Sequence, residues 1–145
     1  MRIITAAAAA ILALALPGFA AAQDRFLEDI RIDYDVSVRC AGVFGAAATG
    51  KAMEYWERYP DVEIYRGYER QFTRYTQRLG PQLRMADDVT EDAVSDVRGE
   101  SFRPVREALF AQDMAGFKAG LEALYALIPD CEAERVRLSH SIGIS

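Results

Sequence analysis

The chain has 145 residues, a formal net charge of −5 and a single histidine. The acidic balance argues against sequence-independent nucleic-acid binding, which requires a basic surface that displaces counterions from the phosphates. One histidine also excludes His-rich zinc sites and the paired Glu-x-x-His motifs of di-iron bundles, and the chain has no glycine-rich phosphate loop or Cys-x-x-Cys-His haem motif. We therefore expect no cofactor and no metal.

The first 22 residues have the order of features that is typical of a secretory signal peptide. Arg2 precedes an apolar run over residues 3–16, and three alanines over residues 20–22 precede Gln23. The apolar run is shorter than the ~20 residues of a membrane-spanning helix, although an uncleaved N-terminal anchor is the alternative. We predict cleavage after Ala22, which leaves one domain, residues 23–145, in the periplasm or outside a bacterial cell.

The chain contains two cysteines, Cys40 and Cys131, and both follow the predicted signal peptide. In an oxidising exported compartment, an even pair most simply forms a disulfide, and two cysteines allow only one connectivity. No Cys-x-x-Cys motif or neighbouring histidine supports a metal or redox pair instead. We therefore predict a Cys40–Cys131 disulfide that ties the two ends of the domain together.

Two segments alternate strictly between apolar and polar residues, residues 30–38 and residues 136–144. Such alternation is typical of strands, and the two segments could pair antiparallel beside the disulfide. An isolated two-stranded ribbon is only marginally stable in water. We therefore predict an irregular lead-in over residues 23–35 and a loose C-terminal tail over residues 139–145, with strands as the open alternative.

The first helix is predicted from Val36, because Cys40, Val43, Phe44 and Ala47 fall within one helical arc of about 100°. Its glycines and alanines would let neighbouring helices approach closely. A second helix is predicted from Pro60 to Leu79, where Pro60 supplies a helix-compatible backbone at the N-terminus.

The second helix carries aromatic and basic residues on different faces. Tyr65, Tyr68, Phe72, Tyr75 and Leu79 form the predicted buried stripe, whereas Arg66, Arg70, Arg74 and Arg78 lie on the opposite face. The acidic stretch over residues 85–100 follows the Gly80-Pro81 turn, so we expect it to fold back as an antiparallel helical hairpin. Of the four arginines, only Arg74 and Arg78 are expected to reach its acidic side chains.

The last third of the chain is predicted to hold two more helices. Residues 101–104 are expected to interrupt the acidic helix, and residues 104–112 read as a short helix. Asp113 is a suitable N-cap for a final helix that Pro129 ends or kinks. The predicted fold is therefore all-α: a small single-domain bundle of four to five helices, stapled by one disulfide.

The sequence offers one candidate binding surface. Aromatic side chains at helical spacing normally belong to a core, but Tyr55, Trp56 and Tyr59 cluster just before a proline. We predict a possible groove for a small anionic ligand or an acidic protein segment, formed by Trp56, Tyr59, Tyr65 and Tyr68 with Arg66 and Arg70 on its rim.

The most plausible function is a non-catalytic periplasmic module that binds an unidentified protein or a small anionic ligand. With both cysteines bonded and no usable histidine, carboxylates are the remaining acid/base candidates. Glu54 and Glu57, or Asp88 and Asp92, could serve a cell-wall-active hydrolase, which is the alternative function. Acids on the polar face of a helix are usually solvated, however, and a raised pKa requires burial. The oligomeric state is left open.

Overall fold

The computed structural model describes residues 17–54 and 60–141. Within these ranges the protein is all-α and contains no strand, as predicted. The described residues form five α-helices, α1 (Pro17–Glu54), α2 (Pro60–Leu79), α3 (Asp87–Phe110), α4 (Met114–Tyr125) and α5 (Ile128–Ser141), and a short 3-10 helix over Gly80–Leu83 joins α2 to α3. None of the described helices combines the length and the apolar content that a membrane span requires.

The predicted irregular lead-in over residues 23–35 is wrong, because α1 is helical throughout this segment. Ile30, Tyr34 and Val38 recur every four residues, and all three side chains are buried in the core. Ile32, which the strand pattern placed with them, is 49% exposed. Every second apolar residue of the alternating segment therefore lies on one face of a helix. Packing of this face against the other helices stabilises the helix relative to a strand.

The C-terminal half of α1 is the centre of the bundle, and its small residues make this possible. Ala41, Ala46, Ala47 and Ala48 are almost completely buried. At Gly42 the backbone of α3 comes so close that an added Cβ would lie 2.6 Å from Val97 Cγ1 and 2.9 Å from the Arg98 backbone nitrogen. The small side chains thus allow α1 to be surrounded by the other helices, as the sequence predicted.

Helices α2 and α3 run in opposite directions along α1. Phe44 of α1 packs on Tyr68 and Phe72 of α2, with ring centroids 5.1 and 5.8 Å apart. Tyr34, ten residues earlier, bonds through its hydroxyl to Thr90 Oγ1 of α3 at 2.8 Å. The predicted α2–α3 hairpin is therefore present, and each of its helices packs against α1.

The predicted interruption at residues 101–104 is wrong, because α3 continues through Pro104 to Phe110. A proline inside a helix removes one backbone hydrogen bond, but here the surrounding packing compensates. Val105 is fully buried, and Gly120 of α4 lies against it, since an added Cβ there would sit 3.0 Å from the Val105 nitrogen. Helix α3 ends instead at Phe110, and Gln112, two residues further on, has a left-handed φ of 55°.

Helix α4 begins where the sequence predicted, at Asp113. The Asp113 carboxylate accepts a hydrogen bond of 2.9 Å from the Gly116 backbone N–H, as an N-cap does.

We expect Asp113→Ala to lower the free energy of unfolding by about 1 kcal/mol in urea denaturation, because the Gly116 N–H loses its partner. Asp92→Ala, which removes an exposed carboxylate inside α3, is the control and should change stability by less than about 0.5 kcal/mol; equal losses would contradict the capping role.

Helix α5 returns antiparallel along α1, and the Cys40–Cys131 disulfide joins the two helices, as predicted. Arg137 of α5 forms an ion pair of 2.8 Å with Asp33 of α1, and Leu138 is fully buried. The loose tail predicted from residue 139 is wrong as far as Ser141, where α5 ends; residues 142–145 lie outside the described ranges. Residues 30–38 and 136–141 do lie side by side, but as helices.

Candidate functional site

The predicted aromatic groove is only partly within the described residues. Trp56 and Tyr59 lie outside them. Tyr65 and Tyr68 lie together on the inner side of α2, with their ring centroids 5.8 and 5.1 Å from that of Phe44. Burial raises the pKa of the Tyr65 phenol, so its hydroxyl stays protonated at neutral pH. Both rings pack against the core, and both side chains are half-buried.

The two predicted rim arginines are exposed and do not converge on these rings. Arg66 pairs with Glu63 on the same helix at 3.3 Å, and Arg70 is exposed on the outer face of α2. A different arginine contacts the aromatic pair: the Arg135 guanidinium of α5 lies 4.5 Å above the Tyr68 ring. A groove built from Trp56, Tyr59, Tyr65 and Tyr68 stays a prediction.

The carboxylates considered for catalysis have ordinary surroundings where the structure describes them. Glu54 accepts a hydrogen bond of 2.9 Å from the Tyr125 hydroxyl and pairs with Lys51 at 3.2 Å. Asp88 and Asp92 are exposed, and Glu57 lies outside the described residues, so the hydrolase alternative stays a prediction.

The feature that sequence reasoning missed is a cleft between α2 and α3. Its volume is about 280 Å³, close to the lower end of the range for small-molecule sites. The lining residues come from one face of each helix and are mainly polar: Glu69, Thr73, Thr76 and Gln77 of α2, and Asp87, Thr90, Glu91, Val94, Ser95 and Arg98 of α3.

The cleft exists because both helices pack on α1 in preference to each other. The α2 and α3 side chains that face one another are threonine, serine, glutamine and charged residues, with Val94 as the single aliphatic one. Thr76 is completely buried, and Thr90 and Val94 are 7% and 8% exposed. These short side chains form a deep wall but do not fill the space between the two helices, as larger apolar residues would.

The prediction that Arg74 and Arg78 pair with acidic side chains of α3 is wrong. Among the described residues, neither Arg74 nor Arg78 forms an ion pair. The pair that joins the two helices is Glu69 of α2 with Arg98 of α3. Helix α3 therefore lies on the flank of α2 that carries Glu69 and the threonines, and the arginine face points away from it.

One end of the cleft is closed by this ion pair, and Gly45 of α1 makes room for it. The Arg98 guanidinium passes so close to Gly45 that a Cβ there would meet its Nη2 at 2.8 Å. Asp87 and Glu91, one turn apart on α3, lie at the other end and are exposed. Three carboxylates and one guanidinium line the cleft, and the guanidinium is already paired with one carboxylate.

The threonine hydroxyls of the cleft have used their protons. Thr73 Oγ1 donates to the Glu69 carbonyl at 2.9 Å, and Thr76 Oγ1 donates to the Thr73 carbonyl at 2.7 Å. Thr90 Oγ1 lies 2.8 Å from the Tyr34 hydroxyl and 3.3 Å from the Ala86 carbonyl, so its proton goes to one of these two oxygens. Because a hydroxyl has one proton and two lone pairs, the Thr73 and Thr90 oxygens offer only acceptors to the cleft, whereas Thr76 is completely buried.

Metal ligands and thiols can be checked within the described residues. Within the described ranges no three His, Cys, Asp or Glu side chains are placed to hold a metal ion. Both cysteines are bonded and so provide no thiol nucleophile. Sequence reasoning made no prediction for the threonines, because no motif marked them. The chain shows no significant match to any protein-family model, any curated protein or any solved structure.

Proposed function

We propose that the protein is an exported, non-catalytic binding module whose small polar ligand binds in the cleft between α2 and α3. The observation that carries this proposal is the cleft itself, a concave site of about 280 Å³ with a buried polar wall. Small-molecule sites are typically concave, few per protein and lined by a few placed polar groups. The hydroxyls of Thr73, Thr76 and Thr90 are held by hydrogen bonds to the backbone, which makes this wall rigid before any ligand arrives.

Export is supported by the buried disulfide between Cys40 and Cys131. Disulfides persist in oxidising compartments such as the bacterial periplasm and are rare in the cytosol. The signal-peptide pattern of residues 1–22 adds independent support from the sequence. We therefore propose the periplasm or the outside of a bacterial cell as the location.

Filling the cleft tests the proposed site. Ser95 is an exposed residue on the α3 wall, so Ser95→Trp should occupy the space without disturbing the core. We expect at least one compound from a panel of amines, sugars, amino acids and dicarboxylates to raise the melting temperature of the native protein. The variant should lose this increase, because its indole ring takes the place of the ligand.

The control is Ala123→Trp, which adds the same ring at an exposed position of α4 outside the cleft; this variant should keep the response. Gln77→Trp, on the opposite wall, replaces Ser95→Trp if circular dichroism shows that the latter does not fold. A panel in which no compound binds, or in which binding survives both cleft variants, would refute the proposal.

The same panel tests the competing proposal, an anionic ligand or acidic protein segment held at Arg66 and Arg70. A dicarboxylate bound there should respond to Arg70→Ala and should be indifferent to Ser95→Trp, because Arg70 lies on the outer face of α2. This combination of results would favour the arginine surface over the cleft.

A further inference from the structure

The hydrogen-bonding character of the cleft restricts the ligand further, given the binding site proposed above. Thr73 and Thr90 present oxygen lone pairs and no free protons, because the Thr73 proton goes to the Glu69 carbonyl and the Thr90 proton to the Ala86 carbonyl or the Tyr34 hydroxyl. The carboxylates of Asp87 and Glu91 also only accept hydrogen bonds when ionised. The described walls are therefore rich in acceptors and poor in donors.

The positive charge of Arg98 does not make the cleft a site for anions. Arg98 is the only basic residue among the lining side chains, and its guanidinium is engaged by Glu69. The Glu69 carboxylate already balances this charge, and an anionic ligand would also face the carboxylates of Asp87 and Glu91. A ligand with N–H donors and positive charge meets no such competition.

We propose that the cleft binds a small organic ammonium compound, such as an alkyl diamine. An ammonium group carries three donors and no acceptor, which complements the threonine oxygens and the carboxylates. Val94, 8% exposed at the base of the cleft, offers the contact for the methylene groups of the ligand. The Gln77 and Ser95 side chains, which can both donate and accept, would complete the hydrogen bonding of a second polar group.

Three four-carbon probes of equal length isolate the charge and the donors. We would titrate the protein by calorimetry with 1,4-diaminobutane, with neutral 1,4-butanediol and with succinate. Alkyl amines keep their charge at neutral pH, since their pKa is near 10. We expect the diamine to bind at least about tenfold more tightly than the diol or succinate. The reason is that a hydrogen bond involving a charged group contributes more than one between neutral groups.

Neighbouring acids of α3 give a matched control for non-specific attraction to an acidic protein. Glu91→Gln removes a carboxylate of the cleft, whereas Asp92→Asn removes an exposed carboxylate of the next residue, which does not line it. Each variant changes the net charge by the same amount. We expect Glu91→Gln to weaken diamine binding by about tenfold and Asp92→Asn to weaken it less than twofold.

The outcomes separate the ligand class from the site. Equal effects of Glu91→Gln and Asp92→Asn would overturn the proposal, because the diamine would then bind through net charge alone. Succinate binding that Ser95→Trp abolishes would overturn the ammonium ligand but keep the cleft as the binding site. If no four-carbon probe binds while a panel compound without an amine loses its effect in Ser95→Trp, the ligand class is refuted and the proposed function stands.

Discussion

Replacing both Cys40 and Cys131 with alanine is expected to lower the free energy of unfolding by about 4 to 5 kcal/mol. The bond joins residues that are 91 positions apart, so its loss frees most of the unfolded chain and raises the entropy of the unfolded state. Both cysteines are also almost completely buried, so removing their sulfur atoms costs some packing. Urea denaturation followed by circular dichroism measures the change.

A loss of this size is most of the stability of a typical small domain, which is about 5 to 15 kcal/mol in total. Reducing the native protein with dithiothreitol should therefore shift the urea midpoint strongly, whereas the alanine variant should not respond to the reductant. If the native midpoint stays unchanged after thiol titration has verified reduction, the disulfide is not a main source of stability. In that case helix packing alone would hold α5 in place.

The second large effect is expected at Gly42, where the backbone of α3 packs directly on α1. In Gly42→Ala the new Cβ would lie 2.7 Å from Val97 Cβ and 2.9 Å from the Arg98 backbone nitrogen. The clash involves backbone, so α3 must move, and overpacking of this kind costs about 1 to 3 kcal/mol. The better helix propensity of alanine offsets about 0.5 to 1 kcal/mol of this loss.

Gly99→Ala is the matched control, because it makes the same substitution inside α3 with no atom within 4 Å of the new Cβ. Here only the gain in helix propensity remains, and stability should rise by about 0.5 to 1 kcal/mol. Thermal unfolding of the two variants should thus shift in opposite directions. A stabilised Gly42→Ala variant would show that α1 and α3 are farther apart than described.

The sequence predicted helices best where the apolar residues recur with helical periodicity over several turns. Helix α2 begins and ends at Pro60 and Leu79, as expected from the aromatic stripe and the following Gly80-Pro81. The Asp113 N-cap was equally predictable. At these sites local chemistry and the tertiary structure agree, so short-range patterns were sufficient.

The wrong predictions fall where the local signal and the packing disagree. Residues 30–38 alternate as a strand does, but burying Ile30, Tyr34 and Val38 on one helical face outweighs that preference. Pro104 normally ends or kinks a helix, yet Val105 is buried against Gly120 of α4. In both cases contacts with residues distant in the sequence decide the local structure.

The cleft could not be found from the sequence for a geometric reason. An amphipathic helix has two polar flanks, and its periodicity does not say which flank faces the neighbouring helix. For α2 one flank carries Arg74 and Arg78, and the other carries Glu69, Thr73 and Thr76. The opposite charges of α2 and α3 suggested the arginine flank, but α3 lies on the threonine flank, where Glu69 meets Arg98.

By itself, the sequence determined the all-α class, the Cys40–Cys131 pair and the inward face of α2, because these depend on composition, residue count and a repeat of 3.6 residues per turn. Only the tertiary structure decided which helices touch and what lies between them. The physical reason is that α2 and α3 each bury an apolar face against α1, because the small residues of α1 allow both helices to approach it closely. The polar sides of α2 and α3 then face each other across a gap, and that gap is the proposed binding site.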